Sequence, residues 1–284
     1  MCSKRHGRSP WTYKMAQIKA LVITGYGTNC EMEMAYACKQ AGALCDIVHI
    51  SDIIHGTCAI SDYHFLNLAG GFLDGDDLGS AQVESIRLKH ARIKTSGKTL
   101  FAEITTFIER GMIILGVCNG FQALVKSGLL PGNPFGQRRV SLTFNDSAKF
   151  EDRWVRLSVN RQSPCIFTRS IDTIYLPVRH GEGKFVVDCD QTLDEIKSCN
   201  LDTLFYADNN YVPTMEYPDN PNGSIEAIAG ICDKTGRIFG LMPHPEAFTR
   251  ATNHPGWTRM NNPEQTGEGM AIFENAVSFL KGIL

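Results

Sequence analysis

The first half of the chain alternates short apolar runs with segments of helix-forming composition. The apolar run 20–23 leads through two glycines into a helical segment at 31–40. The same order returns with apolar runs at 45–50, 65–69 and 112–117, helical stretches within 81–110, and a helical run at 120–126. Strands that alternate with helices are typical of a mostly parallel sheet that helices cover on both faces. The pattern therefore predicts an α/β fold.

The second half has a different secondary-structure pattern, with few helix signals. After Pro131, strand-like segments occur at 154–159, 173–178, 184–187 and 204–206. The segments 225–231 and 238–242 flank a turn and are typical of a hairpin, and a last helix is predicted at 271–280. We expect one domain, residues 18–284, with additional β-strands in its second half.

Composition limits the partners that the chain can bind. Its 284 residues are 43% hydrophobic and 20% charged, with a formal net charge of −2, as in ordinary globular domains. That charge favours neither nucleic acid nor an anionic membrane, and the apolar runs are too short to span a bilayer. Ten cysteines without a CxxC pair are typical of a reducing compartment. We expect a cytoplasmic protein whose residues 1–17 form a flexible extension.

The pentapeptide 116–120, Gly-Val-Cys-Asn-Gly, follows a buried-strand pattern and precedes a helix. Glycines two residues before and after Cys118 let the strand turn sharply into the helix and expose the thiol at the turn. A helix N-terminus also favours the thiolate, which is the nucleophilic form. Cys118 is therefore a candidate nucleophile. The alternative is a small, unreactive cysteine buried in the connection.

A second motif, Pro243-His244-Pro245-Glu246, follows the apolar run 238–242. In an extended segment, residues two apart project to the same side, so His244 and Glu246 can stand next to each other. A carboxylate can hold an imidazole in the tautomer that takes a proton from a thiol. By itself the motif is also compatible with a solvated turn after an edge strand.

A third strand ends in the glycine turn Leu68-Ala69-Gly70-Gly71-Phe72. Free amides there, together with that of Asn119, are candidates for an oxyanion hole. A phosphate loop is disfavoured because the acidic segment 73–77 follows and lysine is missing. An EF-hand is disfavoured because its fifth and twelfth positions would be Leu78 and Ser85. An irregular cation site remains open, and its candidate ligands are Asp74, Asp76 and Asp77.

His180 lies in the run His-Gly-Glu-Gly, residues 180–183, between two predicted strands. It is a rival for the catalytic base. It ranks below His244, because Glu182 would have to orient it from a flexible glycine-rich turn. We expect His180 to line the substrate pocket instead.

Taken together, the segments 116–122 (Gly-Val-Cys-Asn-Gly-Phe-Gln), 243–246 and 70–72 resemble the triad-type, or class I, glutamine amidotransferases. More narrowly, the chain is similar to the glutaminase subunit or domain of phosphoribosylformylglycinamidine synthase. That similarity rests on Thr28-Asn29-Cys30, on Leu-Pro-Val-Arg-His-Gly-Glu-Gly (176–183), and on Asn222-Gly223-Ser224 with 228–230 (Ile-Ala-Gly). It covers about residues 18 to 281.

The resemblance implies a flavodoxin-like three-layer α/β/α fold and L-glutamine as the nitrogen donor. It also implies that Cys118 is the nucleophile, His244 the base and Glu246 its orienting partner. Gly71 or Phe72, with Asn119, would stabilise the oxyanion, and Gln122 would lie near glutamine. No metal or cofactor is expected in this chain. ATP and magnesium would belong to a large synthetase subunit, joined by a small bridging subunit.

Two segments depart from the family pattern outside the triad. Leu73-Asp74-Gly75-Asp76 stands where Ser-Tyr-Gly-Asp is usual, and Ala247 replaces the common arginine after His-Pro-Glu. The alternatives are a glutaminase for another synthetase, such as those that make GMP, CTP or anthranilate, and a catalytically silent scaffold. The run 180–183 favours the purine-pathway enzyme over the other synthetases.

Overall fold

One nine-stranded sheet organises the computed structural model, which describes residues 17–132, 134–259, 262 and 264–284. The strands are β1 (Lys19–Thr24), β2 (Leu44–His49), β3 (Phe65–Leu68), β4 (Ile113–Val117), β5 (Val140–Thr143), β6 (Glu151–Val159), β7 (Thr173–His180), β8 (Lys184–Val187), β9 (Asp202–Ala207), β10 (Ile228–Cys232) and β11 (Ile238–Leu241). The helices are α1 (Glu31–Gln40), α2 (Ile50–His55), α3 (Gln82–His90), α4 (Leu100–Glu109), α5 (Asn119–Ser127), α6 (Asp190–Ser198) and α7 (Met270–Ile283). The predicted extension lies almost wholly outside these residues.

The strand order of the sheet is β2-β1-β3-β4-β11-β10-β9-β6-β7. The five strands from β2 to β11 pair in parallel, and the remaining strands extend the same sheet in antiparallel fashion. Strands β5 and β8 form a separate antiparallel pair. The predicted α/β fold is confirmed, with four of its five parallel strands in the first half and additional strands in the second.

The central strands are buried on both faces. All five residues of β4 are buried, as are the four of β3. A strand covered on both sides reads as a continuous apolar run, because neither set of alternating side chains meets water. This is why the runs 65–69 and 112–117 were recognisable in the sequence.

The helices cover the sheet from two sides. Helix α1 connects β1 to β2, whereas α3 and α4 connect β3 to β4 in the opposite direction along the sheet. Right-handed connections that run in opposite directions place their helices on opposite faces. Consistent with this, α7 packs on α1, and α5 packs on α3. The direction changes between β1 and β3, and the carboxyl ends of strands at such a point form a crevice in which ligands bind.

Three elements were not predicted from the sequence. In α6 only Thr192 and Ile196 are buried and most of its residues are polar or charged, so it lacks the apolar run by which other elements were recognised. Helix α2 begins at Ile50, directly after β2, so its first apolar residue merges with the strand pattern. Strand β5 has only four residues and pairs with β8 alone.

Within the described part of the chain, each helix falls short of the length and apolar character that a membrane span requires. The cytoplasmic location stays a prediction.

Candidate active site

Cys118 occupies the turn between β4 and α5 in a backbone conformation that L-residues rarely adopt, with φ 52° and ψ −105°. Such strain persists only where the surrounding structure enforces it, and it is concentrated at functional sites. The flanking glycines permit it. A Cβ on Gly120 would lie 2.0 Å from the carbonyl oxygen of Leu68, and one on Gly116 would lie 2.7 Å from that of Gly120. The glycine spacing therefore reflects close packing of α5 on the strands.

The thiol of Cys118 lines a cavity of about 220 Å³ at the carboxyl ends of the parallel strands. Cys118 is buried, with 6% of its surface exposed. Its thiol donates to the Arg179 carbonyl oxygen, with an S···O distance of 3.6 Å. The thiol is thus enclosed but accessible to a small molecule that enters this cavity.

His244 and Glu246 form a buried pair, and His244 lines the cavity. The Nδ1 atom of His244 lies 2.6 Å from Oε1 of Glu246, and both residues are at most 3% exposed. Burial by itself lowers the pKa of His244, but the Glu246 carboxylate and the Cys118 thiolate more than offset this and raise it well above its usual value. Nε2 of His244 has no hydrogen-bond partner among the described residues. It is therefore available for proton transfer.

The glycine turn after β3 contains two candidate oxyanion donors, the amides of Gly71 and Phe72. The amide of Phe72 donates to the Gly27 carbonyl oxygen at 2.8 Å, whereas that of Gly71 has no acceptor among the described residues. Gly71 has a φ of 130°, and a Cβ there would lie 2.7 Å from the Gly27 oxygen, so this position requires glycine. Of the two candidate donors in this turn, Gly71 is the one that is free in this conformation.

Asn119 and Gln122 connect this turn to the substrate cavity. Oδ1 of Asn119 accepts from the Leu73 amide at 3.1 Å, and its Nδ2 donates to Oε1 of Gln122 at 3.2 Å. Nε2 of Gln122 in turn donates to the Glu182 carbonyl oxygen at 2.6 Å. The first turn of α5 thus connects the glycine turn to the 180–183 loop through hydrogen bonds and fixes their relative positions.

Glu182 is fixed rather than flexible. Its carboxylate accepts from the Ser80 amide at 3.2 and 3.3 Å and lies 3.9 Å from Nζ of Lys126. Burial lowers the pKa of Lys126, although the Glu182 carboxylate opposes that shift. Sequence reasoning missed Ser80 and Lys126 here. The sequence signal for Lys126 is its helical spacing, four residues after Gln122, which places both side chains on the same face of α5.

The acidic segment after the glycine turn is paired with other side chains. Oδ1 of Asp74 lies 2.8 Å from a guanidinium nitrogen of Arg87, and Oδ2 of Asp76 accepts from the Ser80 hydroxyl at 3.1 Å. The predicted aspartate ligands, all of which the structure describes, do not form a group with metal-ligand spacing. Within the described ranges, the single group that does is Cys30, His244 and Glu246. Since His244 and Glu246 are already hydrogen-bonded, a cation would have to separate them.

The structure brings the nine predicted site residues together. Those that line the cavity are Gly71, Phe72, Cys118, Gln122, His180 and His244. Gly70, Asn119 and Glu246 lie directly behind them. Cys30 also lines the cavity, with its Sγ 3.9 Å from Nδ1 of His244, a contact that the sequence motif alone did not indicate.

The α/β fold, with an enclosed cysteine and a buried histidine–glutamate pair at one cavity, is compatible with an enzyme, and comparison with known proteins specifies its class. The chain belongs to the glutamine amidotransferases, since the profile described as the CobB/CobQ-like glutamine amidotransferase domain matches residues 17–280. This confirms the resemblance to the class I enzymes.

Within that family the chain is similar to proteins named phosphoribosylformylglycinamidine synthase subunit PurQ. The one from Dehalococcoides mccartyi is 40% identical over 271 residues, which cover 95% of this chain and 100% of that protein. The one from Methanococcus maripaludis is 42% identical over 273 residues, covering 92% and 97%. A chain in the structure of PurLQS from Thermotoga maritima has a TM-score of 0.67 and 28% identity, and the match covers 93% of this chain and 100% of that one.

Proposed function

We propose that this chain is the glutaminase component of phosphoribosylformylglycinamidine synthase. It hydrolyses L-glutamine to glutamate and ammonia, and the ammonia serves the ATP-dependent amidation of formylglycinamide ribonucleotide. The observation that carries the proposal is the enclosed Cys118 thiol in the same cavity as His244, whose Nε2 has no hydrogen-bond partner within the described part of the chain. Similarity over nearly the whole length to proteins of that name supports the choice of synthetase.

The proposed chemistry uses groups that line or adjoin the cavity. The Cys118 thiolate attacks the side-chain amide carbon of glutamine, and the Gly71 and Asn119 amides stabilise the negative oxygen. The His244 imidazolium, held by Glu246, protonates the leaving ammonia. Water then loses a proton to the same imidazole and attacks the thioester carbon, which releases glutamate and restores the thiol.

The ammonia needs an acceptor protein. ATP and magnesium are assigned to a large synthetase subunit, with a small bridging subunit in the same complex. The similarity to a chain of PurLQS supports this assembly. This half-reaction uses no metal or organic cofactor in the proposed scheme, because the nucleophile, acid and oxyanion donors all come from the protein.

Complementation tests the assignment. A strain that lacks its own glutaminase subunit of this synthetase, but retains the synthetase, should grow without added purine when it expresses the chain. The Cys118→Ala variant should not restore growth. If the wild-type chain restored growth only to strains that lack the glutaminase of another pathway, the assignment to this synthetase would be overturned.

A further inference from the structure

The imidazole of His180 carries a hydrogen-bonding atom that no described protein group uses. The side chain is 2% exposed and lines the same cavity as Cys118. Its Nε2 is buried and has no partner among the described residues. A buried polar atom without a partner is unfavourable unless a ligand satisfies it, so its presence at a cavity wall points to a bound group.

Asn145 fixes the tautomer of this imidazole. Nδ2 of Asn145 donates to the carbonyl oxygens of Lys149 and His180, at 2.9 and 2.8 Å. Its Oδ1 accepts from the Gly183 amide at 3.0 Å and lies 3.1 Å from Nδ1 of His180. Because Nδ2 is committed to two acceptors and Oδ1 is therefore the acceptor, Nδ1 of His180 must carry the proton. Nε2 then has a lone pair and no hydrogen.

The ring remains in this neutral form at physiological pH. Burial lowers the pKa of His180 to about 3, and the positive charge of His244 acts in the same direction. A second proton on Nε2 is therefore disfavoured, and His180 presents an acceptor only. This also explains why it cannot replace His244 as the cationic acid that protonates ammonia.

The imidazole of His180 lies near the reacting end of the cavity. His180 lines the cavity together with Cys118 and His244, and it is close enough to His244 for the charge of that residue to lower its pKa. At that end, glutamine presents a carboxamide with two N–H donors, whereas glutamate presents a carboxylate with acceptors only. A cavity side chain that can only accept a hydrogen bond attracts the carboxamide and repels the carboxylate.

We propose that His180, positioned by Asn145, is the specificity-determining residue that accepts a hydrogen bond from the carboxamide N–H of glutamine and disfavours the glutamate product. This inference rests on the proposed function and identifies how the same site distinguishes its substrate from its product. Asn145 is a positioning residue, because it acts through the imidazole. The consequence is weak product inhibition, since the group released at the end of the reaction lacks the donor that the site requires.

Binding measurements test the proposal. In a Cys118→Ala background, which prevents turnover, calorimetry gives the dissociation constants of L-glutamine and L-glutamate. His180→Gln replaces an acceptor with a side chain that both donates and accepts. The affinity for glutamate relative to that for glutamine should therefore rise about tenfold. An unchanged ratio of the two constants overturns the proposal. Equal losses of affinity for both ligands would also overturn it, because they would show that His180 affects a group that both ligands share, such as the α-amino group.

Asn145→Asp provides a second test that does not depend on the folding of His180→Gln. A carboxylate at Nδ1 favours the imidazolium, whose Nε2–H donates to a carboxylate. Glutamate affinity relative to glutamine should therefore rise as the pH is lowered from 8 to 6 in this variant but not in the parent. Asn275→Asp is the matched control, because Nδ2 of Asn275 also donates to two carbonyl oxygens, those of Phe167 and Arg169. A ratio independent of pH in Asn145→Asp counts against the proposal.

Nitrogen NMR supplies a readout that requires no ligand. In the histidine-labelled full chain, the His180 signals, identified by their loss in His180→Gln, should show a protonated Nδ1 and an unprotonated Nε2 from pH 5 to 8. The opposite tautomer overturns the inference. The two failures are separable: if the parent does not bind glutamine, the proposed function is wrong, whereas binding with an unchanged ratio contradicts this inference alone.

Discussion

Gly70 lies against the imidazole of His244 so closely that an added β-carbon would be 2.8 Å from its Cε1 atom. The same β-carbon would lie 3.2 Å from the Cys30 sulfur and 3.5 Å from Cβ of Cys118. Real Cβ atoms essentially never approach a neighbour within 3.0 Å, so the imidazole must shift to accommodate one. The first glycine of the turn after β3 therefore sets how closely the base and the nucleophile approach each other.

Gly70→Ala should lower glutamine-dependent activity at least about tenfold, because a displaced catalytic base misaligns proton transfer. Steady-state kinetics of the complex measure the loss, and thermal unfolding shows how much stability accompanies it. Gly282→Ala is the matched control, since a β-carbon there meets no atom within 4 Å. Equal activities in the two variants would contradict the proposed role of Gly70.

Cys118→Ala and His244→Ala should abolish glutamine-dependent synthesis while synthesis from added ammonia persists, because only the nitrogen supply is removed. Glu246→Ala should be less damaging, since the carboxylate orients the imidazole and stabilises its charge but does not transfer the proton. Assays of the complex with each nitrogen source measure both effects. Full glutamine-dependent activity in His244→Ala would move the role of base to another histidine.

Cys118 should be the cysteine that a glutamine-mimicking electrophile labels at neutral pH. It lies at the N-terminus of α5 in the cavity that also contains His244. Cys30 lines the same cavity, but burial raises the pKa of its thiol. Peptide mapping by mass spectrometry identifies the modified residue. Labelling of Cys30 or Cys165 with Cys118 spared would refute the assignment of the nucleophile.

Acid should destabilise the protein partly through His180. Its folded pKa is about 3, below the ordinary value of 6.5, so between these pH values the unfolded chain binds a proton that the folded chain excludes. Stability is therefore lost as the pH falls through 6.5 toward 3. From pH 7 to pH 5, the free energy of unfolding should decrease by about 2 kcal/mol more in the wild type than in His180→Gln. Denaturant titrations at both pH values measure these free energies of unfolding. Equal decreases in the wild type and in His180→Gln would show that the pKa of His180 is not lowered in the folded protein.

The isolated chain should hydrolyse glutamine slowly, and the synthetase with its substrates should accelerate it. Free ammonia is mostly protonated near neutral pH, so uncoupled hydrolysis would waste glutamine. The oxyanion donor lies on the glycine turn at 70 and 71, and a misplaced donor lowers the rate by about 10²–10³. A partner that contacts residues 73–78, where Leu78 is 71% exposed, could set this turn. Equal kcat/KM with and without the partner would exclude such coupling.

Much of the fold could be predicted because its signals are local. Helix α1 and strand β8 were predicted with the bounds that the structure has, and β3 and β4 followed from apolar runs that are buried on both faces. Helix α6 was not predicted because it buries only two side chains and is mostly polar, which leaves too few apolar residues to recognise a helix. Patterns of period 2 and 3.6 are detectable only where one or both faces are apolar.

By itself, the sequence determined the chemistry available to each short segment. The Gly-x-Cys-x-Gly spacing specifies an elbow through steric limits within five residues. The His-x-Glu spacing indicated the pair correctly, but the predicted extended geometry was wrong, because Pro245–Ala247 form a 3-10 helix that places Glu246 next to His244. The tertiary structure alone decided what these segments meet. The Phe72 amide is occupied by a carbonyl from the β1–α1 loop, Glu182 is held by Ser80 and Lys126, and Asn145 sets the proton on His180. Hydrogen-bond partners and proton positions depend on atoms that are distant in sequence, and only packing brings those atoms together.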